Sequence, residues 1–483
     1  MNRRDFFCSA SAAMAAGAAG VPFLSGYSGV EALAEDVKTV QQEFASRKSA
    51  FNMASFADKP YPTLRVGYIG LGNRGWASLK RLAQMKNVEI RAIGDCYEYP
   101  IRRAQESLKQ YGCAPAAEYF ASKEVWKDLC QRDDLDYIYV GTPPYCHAEM
   151  AAFAMECGKH VGTEVPIAQT LTDCWKLVET SERTRRHCVM LENCVYDFFE
   201  ALTTDMAIKG VFGEIVHGQG AYNHFGGDWM FKEPMPPLSK ESAPYYGIIL
   251  AMGQGNRYPT HGFGPVCKAM RIHSGDRIDY LTSMETRDFK TAQRMNDLAA
   301  TGNPYFAPFK DKKFCANYNT SLLHTQNGKT ITVEYNTKNP RPYSRLHTLV
   351  GEKGFAQKYP VETICYESGV PINEAQLAEV KEKNAPELIR HIGETSKRFG
   401  GHGGMDFTID WRVVDCLRNG LSMDINVYDS VLWSSLTPLS EWSVLNRSNS
   451  IDVPDFTGGI WETNPPIDFS LRGGGTTELK TAN

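Results

Sequence analysis

The sequence predicts a chain of the α/β class in two parts: a doubly wound parallel sheet, then an α+β part whose open-faced sheet is mostly antiparallel. Three observations carry that reading. Between Leu64 and Glu192, short apolar runs of strand character alternate with helical stretches, which places parallel strands beneath covering helices. The first run, Val66-Gly67-Tyr68-Ile69, opens directly into a glycine-rich turn, Gly70-Leu71-Gly72-Asn73-Arg74-Gly75. After Gly213 the apolar positions fall into period two, the pattern of half-buried strands.

Taken in order, the chain begins Asn2-Arg3-Arg4-Asp5-Phe6-Phe7 and runs through an Ala- and Gly-rich stretch to Ala32-Leu33-Ala34. This is the layout of a twin-arginine export signal over residues 1–34, which makes the export machinery a partner and the periplasm the expected destination. Its apolar part is too short and too rich in small residues to span a membrane. Residues 35–62 read as a polar, partly helical lead-in. Over 63–193, strands at 88–93, 137–140, 160–163 and 189–192 alternate with helices near 100–111, 147–158 and 171–186. Over 194–463, period-two strands are expected at 214–221, 330–335, 345–350 and 363–366, with late helices at 406–419 and 428–434 returning to the first part. Residues 225–260, rich in Gly, Pro, Met and aromatics, read as a long loop of the kind that is commonly functional. Residues 464–483 read as a flexible tail.

A net charge of −4 without a basic cluster points away from nucleic acid and anionic membranes. The 13 cysteines are scattered, with no Cys-x-x-Cys and no metal-ligand spacing to histidine, so they read as core thiols and no metal is expected. Homo-oligomerisation is left open.

The glycine turn is a dinucleotide fingerprint in its proper setting. Gly70, Gly72 and Gly75 let the turn close, let the backbone approach a pyrophosphate and let helix pack on strand. Asp95, twenty positions beyond Gly75, ends the second strand where it can accept hydrogen bonds from ribose hydroxyls. An acid there selects NAD over NADP, and the first part is therefore expected to be a Rossmann domain holding NAD.

Gly141-Thr142-Pro143-Pro144-Tyr145-Cys146-His147 lies at the carboxyl end of a strand, where ligands bind in open α/β sheets. With Gly158-Lys159-His160-Val161 and Glu164-Val165-Pro166, it resembles the glucose-fructose oxidoreductase and inositol dehydrogenase superfamily, over the whole chain after the signal. In that superfamily the tripeptide is typically Glu-Lys-Pro, and its lysine helps to deprotonate a sugar hydroxyl. Val165 stands in its place here and cannot transfer a proton. Together with Leu191-Glu192-Asn193-Cys194-Val195-Tyr196 and Tyr258-Pro259-Thr260-His261-Gly262, the Glu-Val-Pro variant is similar to the NAD-dependent glycoside hydrolase family 109.

That resemblance implies an α-N-acetylgalactosaminidase-like enzyme acting on a glycoside. It also implies that Asn73, Arg74, Asp95, Pro144, His147, Glu164, Val165 and Asn193 lie at cofactor-contacting positions, and Tyr222, Tyr258, His261 and Tyr343 at sugar-contacting ones. In the implied cycle a hydride leaves C3 of the sugar for NAD, the C2 proton becomes acidic, the C1 oxygen departs by elimination, water adds and the hydride returns. No pair of carboxylates at a fixed separation is required. His261 is the expected polarising group or acid, and Tyr196 or Tyr258 the expected base for the C2 proton. Taken alone, Tyr-x-x-His reads as a structural pair; the resemblance turns it toward chemistry. Glu164 is expected to bridge cofactor and sugar.

His402, in Gly400-Gly401-His402-Gly403-Gly404-Met405-Asp406, is a second-rank candidate, with Asp406 as helix N-cap the plainer reading. One departure stands out. The family usually carries a substrate-gripping arginine about a dozen residues before Tyr-x-x-His, and none lies between Phe225 and Arg257. Two other readings stand beside the glycosidase: a sugar oxidoreductase with His261 as base, and an inert sugar-binding protein that retains NAD.

Overall fold

The computed structural model describes residues 30–232, 248 and 251–480. Most of the expected export signal, and the middle of the expected 225–260 loop, lie outside them.

The first sheet has six strands, all parallel: β1 (Leu64–Ile69), β2 (Val88–Gly94), β3 (Ala117–Tyr119), β4 (Tyr137–Val140), β5 (His160–Thr163) and β6 (Cys188–Met190). They lie in the order β3-β2-β1-β4-β5-β6. Every residue of β4 and β5 is buried, as strands covered on both faces must be. The order reverses between β1 and β4, and this switch point opens a crevice at the carboxyl ends of the two strands.

The second sheet has eight strands: β7 (Ile215–Asn223), β8 (Ile278–Glu285), β9 (Asn319–Thr325), β10 (Thr330–Asn336), β11 (Ser344–Gly351), β12 (Gly354–Gln357), β13 (Thr363–Tyr366) and β14 (Ile451–Asp452). Their order is β13-β12-β11-β7-β10-β9-β8-β14, antiparallel throughout except for β7 beside β10. Buried and exposed residues alternate along β9, so one face is open, with Tyr280, Met284 and Leu322 exposed on it. Against the other face packs the helix Thr260–Ala269, whose Phe263 and Val266 are buried.

Two long helices tie the sheets together. Met405–Asn419 lies on the helix Asn73–Leu82 through a buried ion pair, Arg81 to Asp410 at 2.7 Å. Val427–Leu445, started by a capping box at Asn426, packs on Leu171–Thr184. The lead-in helix Val30–Phe44 docks there too, with Phe44 stacked on Trp175 at 4.7 Å. The rest of the lead-in is clamped by Asp58, which accepts from Tyr61, His160 and Arg186 at 2.7–2.9 Å.

Residues 464–480, expected from composition to be a flexible tail, are paired with the body of the protein. Asp415 accepts the backbone N–H groups of Gly475, Thr476 and Thr477, Trp411 donates to the Thr477 carbonyl at 2.8 Å, and Leu479 bridges to Met85. Backbone pairing anchors a stretch that has few apolar residues to show for it.

Candidate active site

At the switch point, Gly70 takes a φ of +87°, and a Cβ on Gly75 would stand 2.0 Å from the Gly70 carbonyl oxygen. Both positions therefore need glycine. A Cβ on Gly72, by contrast, would meet open space. The helix that starts at Asn73 has no side-chain cap, so its first N–H groups face that space, the arrangement that receives a pyrophosphate. The Asp95 carboxylate accepts from Leu71 N at 2.8 Å and Tyr97 N at 3.1 Å, which fixes it at the end of β2; burial pushes its carboxyl up, against those hydrogen bonds. Pro144 is the first residue of the helix Pro144–Glu156, where a missing N–H costs nothing.

Arg74, Glu164 and Asn193 come together, as one network. Arg74 donates to Glu164 at 3.1 Å and to Asp406 at 2.8 Å; Asn193 donates to Asp406 at 2.5 Å; the Tyr139 hydroxyl donates to Glu164 at 2.5 Å. The Coulombic pull of Glu164, then of Asp406, holds the Arg74 guanidinium well above its ordinary range. Asp406 is not a helix N-cap, for that place is taken by Gly404. Although burial would raise its carboxyl, the hydrogen bond from His402 and the charge of Arg74 hold it well below the carboxylate range. His402 itself is largely exposed, on a turn in which residues 400 to 404 all have positive φ.

Two of the expected site residues have their side chains enclosed, and for Tyr196 the expected role needs correction. His147 is fully buried, and its ring nitrogens lie 2.7 Å from the carbonyl oxygens of Pro166 and Thr142. Its ring thereby braces the wall that carries Glu164 and the buried Val165. Tyr196 is enclosed in the core, its hydroxyl donating to Asp424 at 3.1 Å and its ring against Phe469. Burial, then the charge of Asp424, pushes that phenol well above its ordinary range, so it does not serve as the base.

The sugar-side residues converge on the end of β7. Ring centroids are 4.7 Å apart for Tyr222 and Tyr258, 5.1 Å for Tyr258 and His261, and 5.5 Å for Tyr222 and His261. Glycine makes this possible: a Cβ on Gly262 would lie 2.1 Å from Ala221 N, and one on Gly220 would lie 2.2 Å from the Gly262 carbonyl oxygen. Backbone on backbone, the helix Thr260–Ala269 sits directly on the strand. Tyr343 joins the cluster from β11's approach, its hydroxyl held by Arg345 at 2.8 Å, and Arg345 is anchored on the buried Glu200 at 2.5 Å. Arg257, which directly precedes Tyr258, is buried and donates to Glu441 at 3.4 Å.

Glu192, quoted within a motif but given no role by sequence reasoning, is the missed residue. It is fully buried and lies 2.6 Å from His261 Nδ1. Burial favours its neutral form, but the charge and hydrogen bond of His261 hold it below its usual value. An ionised carboxylate only accepts, so Nδ1 carries the proton and Nε2 is the nitrogen left for another partner. Cys194 lies close enough to complete a Glu-Cys-His group, yet 2.6 Å is a hydrogen-bond length, shorter than the spacing of two ligand atoms around a metal ion.

Comparisons with known proteins agree in both halves. A family model for the NAD-binding Rossmann fold of an oxidoreductase family matches residues 64–192, and one for the C-terminal domain of glycosyl hydrolase 109 matches residues 197–463. An alpha-N-acetylgalactosaminidase of Bacteroides fragilis is 41% identical over 417 residues, spanning 86% of this chain and 96% of that protein. A glycosyl hydrolase family 109 protein of Porphyromonas gingivalis is 40% identical, spanning 83% and 86%. Among solved structures, the scyllo-inositol dehydrogenase of Lactobacillus casei with bound NAD(H) and scyllo-inositol has a TM-score of 0.54 at 13% identity, covering 81% of this chain and 99% of that one. That likeness shows the fold. The first domain binds NAD, and the enzyme is a glycosidase.

Proposed function

The chain belongs to glycosyl hydrolase family 109, and from that premise we propose that it hydrolyses α-linked N-acetylgalactosaminides through a redox-neutral cycle on tightly held NAD. One observation carries the reading: Tyr222, Tyr258 and His261 form a ring cluster fixed by a buried Glu192, while Val165 stands where the oxidoreductase branch has its lysine. When bound, NAD supplies a hydride acceptor and donor at C3 of the sugar, which is what makes the C2 hydrogen acidic. Gly72, the N–H groups that follow it and Asp95 would hold its pyrophosphate and ribose. His261, its Nδ1 proton held by Glu192, gives a proton from Nε2 to the departing glycosidic oxygen and takes one back there from the water that adds at C1. Tyr258, as its phenolate, takes the C2 proton and becomes the phenol that returns a proton to C2 after water has added, while Tyr222 and Tyr343 hold sugar hydroxyls.

The Arg3-Arg4 signal supports export by the twin-arginine route to the periplasm, a route that carries folded proteins together with their cofactors. No helix among the described residues is long and apolar enough to cross a membrane.

The test is a panel of aryl glycosides given to the purified protein without added cofactor. Release from the α-N-acetylgalactosaminide is expected. Release from a different glycoside alone would overturn the sugar assignment, and reduction of added NAD by free sugars without bond cleavage would establish the oxidoreductase instead.

A further inference from the structure

His224 lies just beyond β7, its backbone N–H bonded to the Asn336 carbonyl at 2.9 Å. Its Nδ1 is 2.9 Å from the Tyr222 hydroxyl, and its ring stands edge-on to Tyr343 with centroids 5.2 Å apart. It thus touches two of the sugar-side tyrosines. The ring is open to solvent on one side. Partial burial, then the neighbouring His261 and His402, push the imidazole below its ordinary range, which favours the neutral ring.

A neutral imidazole has one bare nitrogen, and that nitrogen is a better acceptor than a phenol oxygen, just as a phenol is a better donor than an imidazole N–H. We propose that His224 is a positioning residue: its Nδ1 accepts the Tyr222 hydroxyl proton, so that the phenol oxygen presents its lone pairs to the substrate and selects a free sugar hydroxyl there. Tyr222 then acts as an acceptor. A sugar that offered an ether or carbonyl oxygen at that position would meet lone pairs and be rejected.

The inference rests on the glycosidase reading, and variants separate the two. They are compared on the aryl glycoside that the wild-type protein cleaves; a wild type that cleaves none would be the failure of the functional reading. H224F keeps a ring against Tyr343 but removes Nδ1, whereas H224N places an amide oxygen close to the position of Nδ1. We expect H224F to raise KM about tenfold, the scale of one hydrogen bond, with a smaller change in kcat. H224N should recover most of that loss, and Y222F/H224F should be no worse than Y222F alone. Wild-type KM in H224F would reduce His224 to a packing role and overturn the proposal. So would a double variant whose losses multiply, because His224 would then act independently of Tyr222.

Discussion

A histidine works as an acid or base only when the location of its proton is fixed, and Glu192 fixes it for His261 from a fully buried position 2.6 Å away. Replacing that carboxylate by an amide keeps the shape and removes the charge. Glu192→Gln is therefore expected to lower kcat about a hundredfold or more while leaving NAD bound, checked by turnover alongside cofactor content after purification; near-normal turnover would refute the dyad. Sequence alone singles out His261 and Tyr258 because their spacing within one motif is visible. It gives no hint that Glu192 meets a side chain 69 residues later, since that contact depends on how the helix Thr260–Ala269 lands on the sheet. Tyr196 misleads for the same reason: it lies in a matching motif, but its place in the 3₁₀ turn Asn193–Tyr196 directs it into the core.

At the scale of elements, β4, β5 and β13 are readable to the residue as apolar runs between turn signals, whereas the helix Thr260–Ala269 is not. Its sequence holds Gly262, Gly264 and Pro265, all poor helix formers, and its stability comes from close contact with β7. Gly262→Ala should cost about 1–3 kcal/mol and move His261 off Glu192, read as a lower midpoint in denaturant together with lost activity. Unchanged stability would mean that the helix can lift without penalty. The lead-in clamp supplies a pH prediction. Asp58 is held well below its usual range, chiefly by the His160 hydrogen bond, and His160 is pushed down chiefly by burial. Both shifts are downward, so both groups contribute stability above their unfolded values, near about 6.5 for the histidine and about 3.9 for the carboxylate, and lose it as the pH falls. Limited proteolysis between residues 45 and 62 should accelerate as the pH is lowered through that window, and Asp58→Asn should be cleaved readily even at neutral pH. A cleavage rate indifferent to both changes would show that the clamp does not hold the lead-in.

For the whole molecule, the two-part α/β architecture is legible because a parallel sheet and an antiparallel one write different periods into the chain. The joint between them is less so. Asp406 reaches from a C-terminal helix to Arg74 and Asn193 in the cofactor crevice, and the residues beyond 464 close over the first domain by backbone pairing, neither of which leaves a periodic trace. The glycine turn and the tyrosine–histidine cluster thus belong to one connected body. Asp95→Ala should weaken NAD retention about 10- to 100-fold, since charge-assisted bonds to the ribose are lost, and full occupancy after purification would count against that role. The central claim is that glycosidic cleavage proceeds through loss of the C2 proton. Cleavage of an aryl α-N-acetylgalactosaminide in heavy water, without added cofactor, tests it most directly: aryl release accompanied by deuterium at C2 of the freed sugar, with no lasting nicotinamide absorbance, is the expected result, and aryl release with hydrogen fully retained at C2 would contradict it.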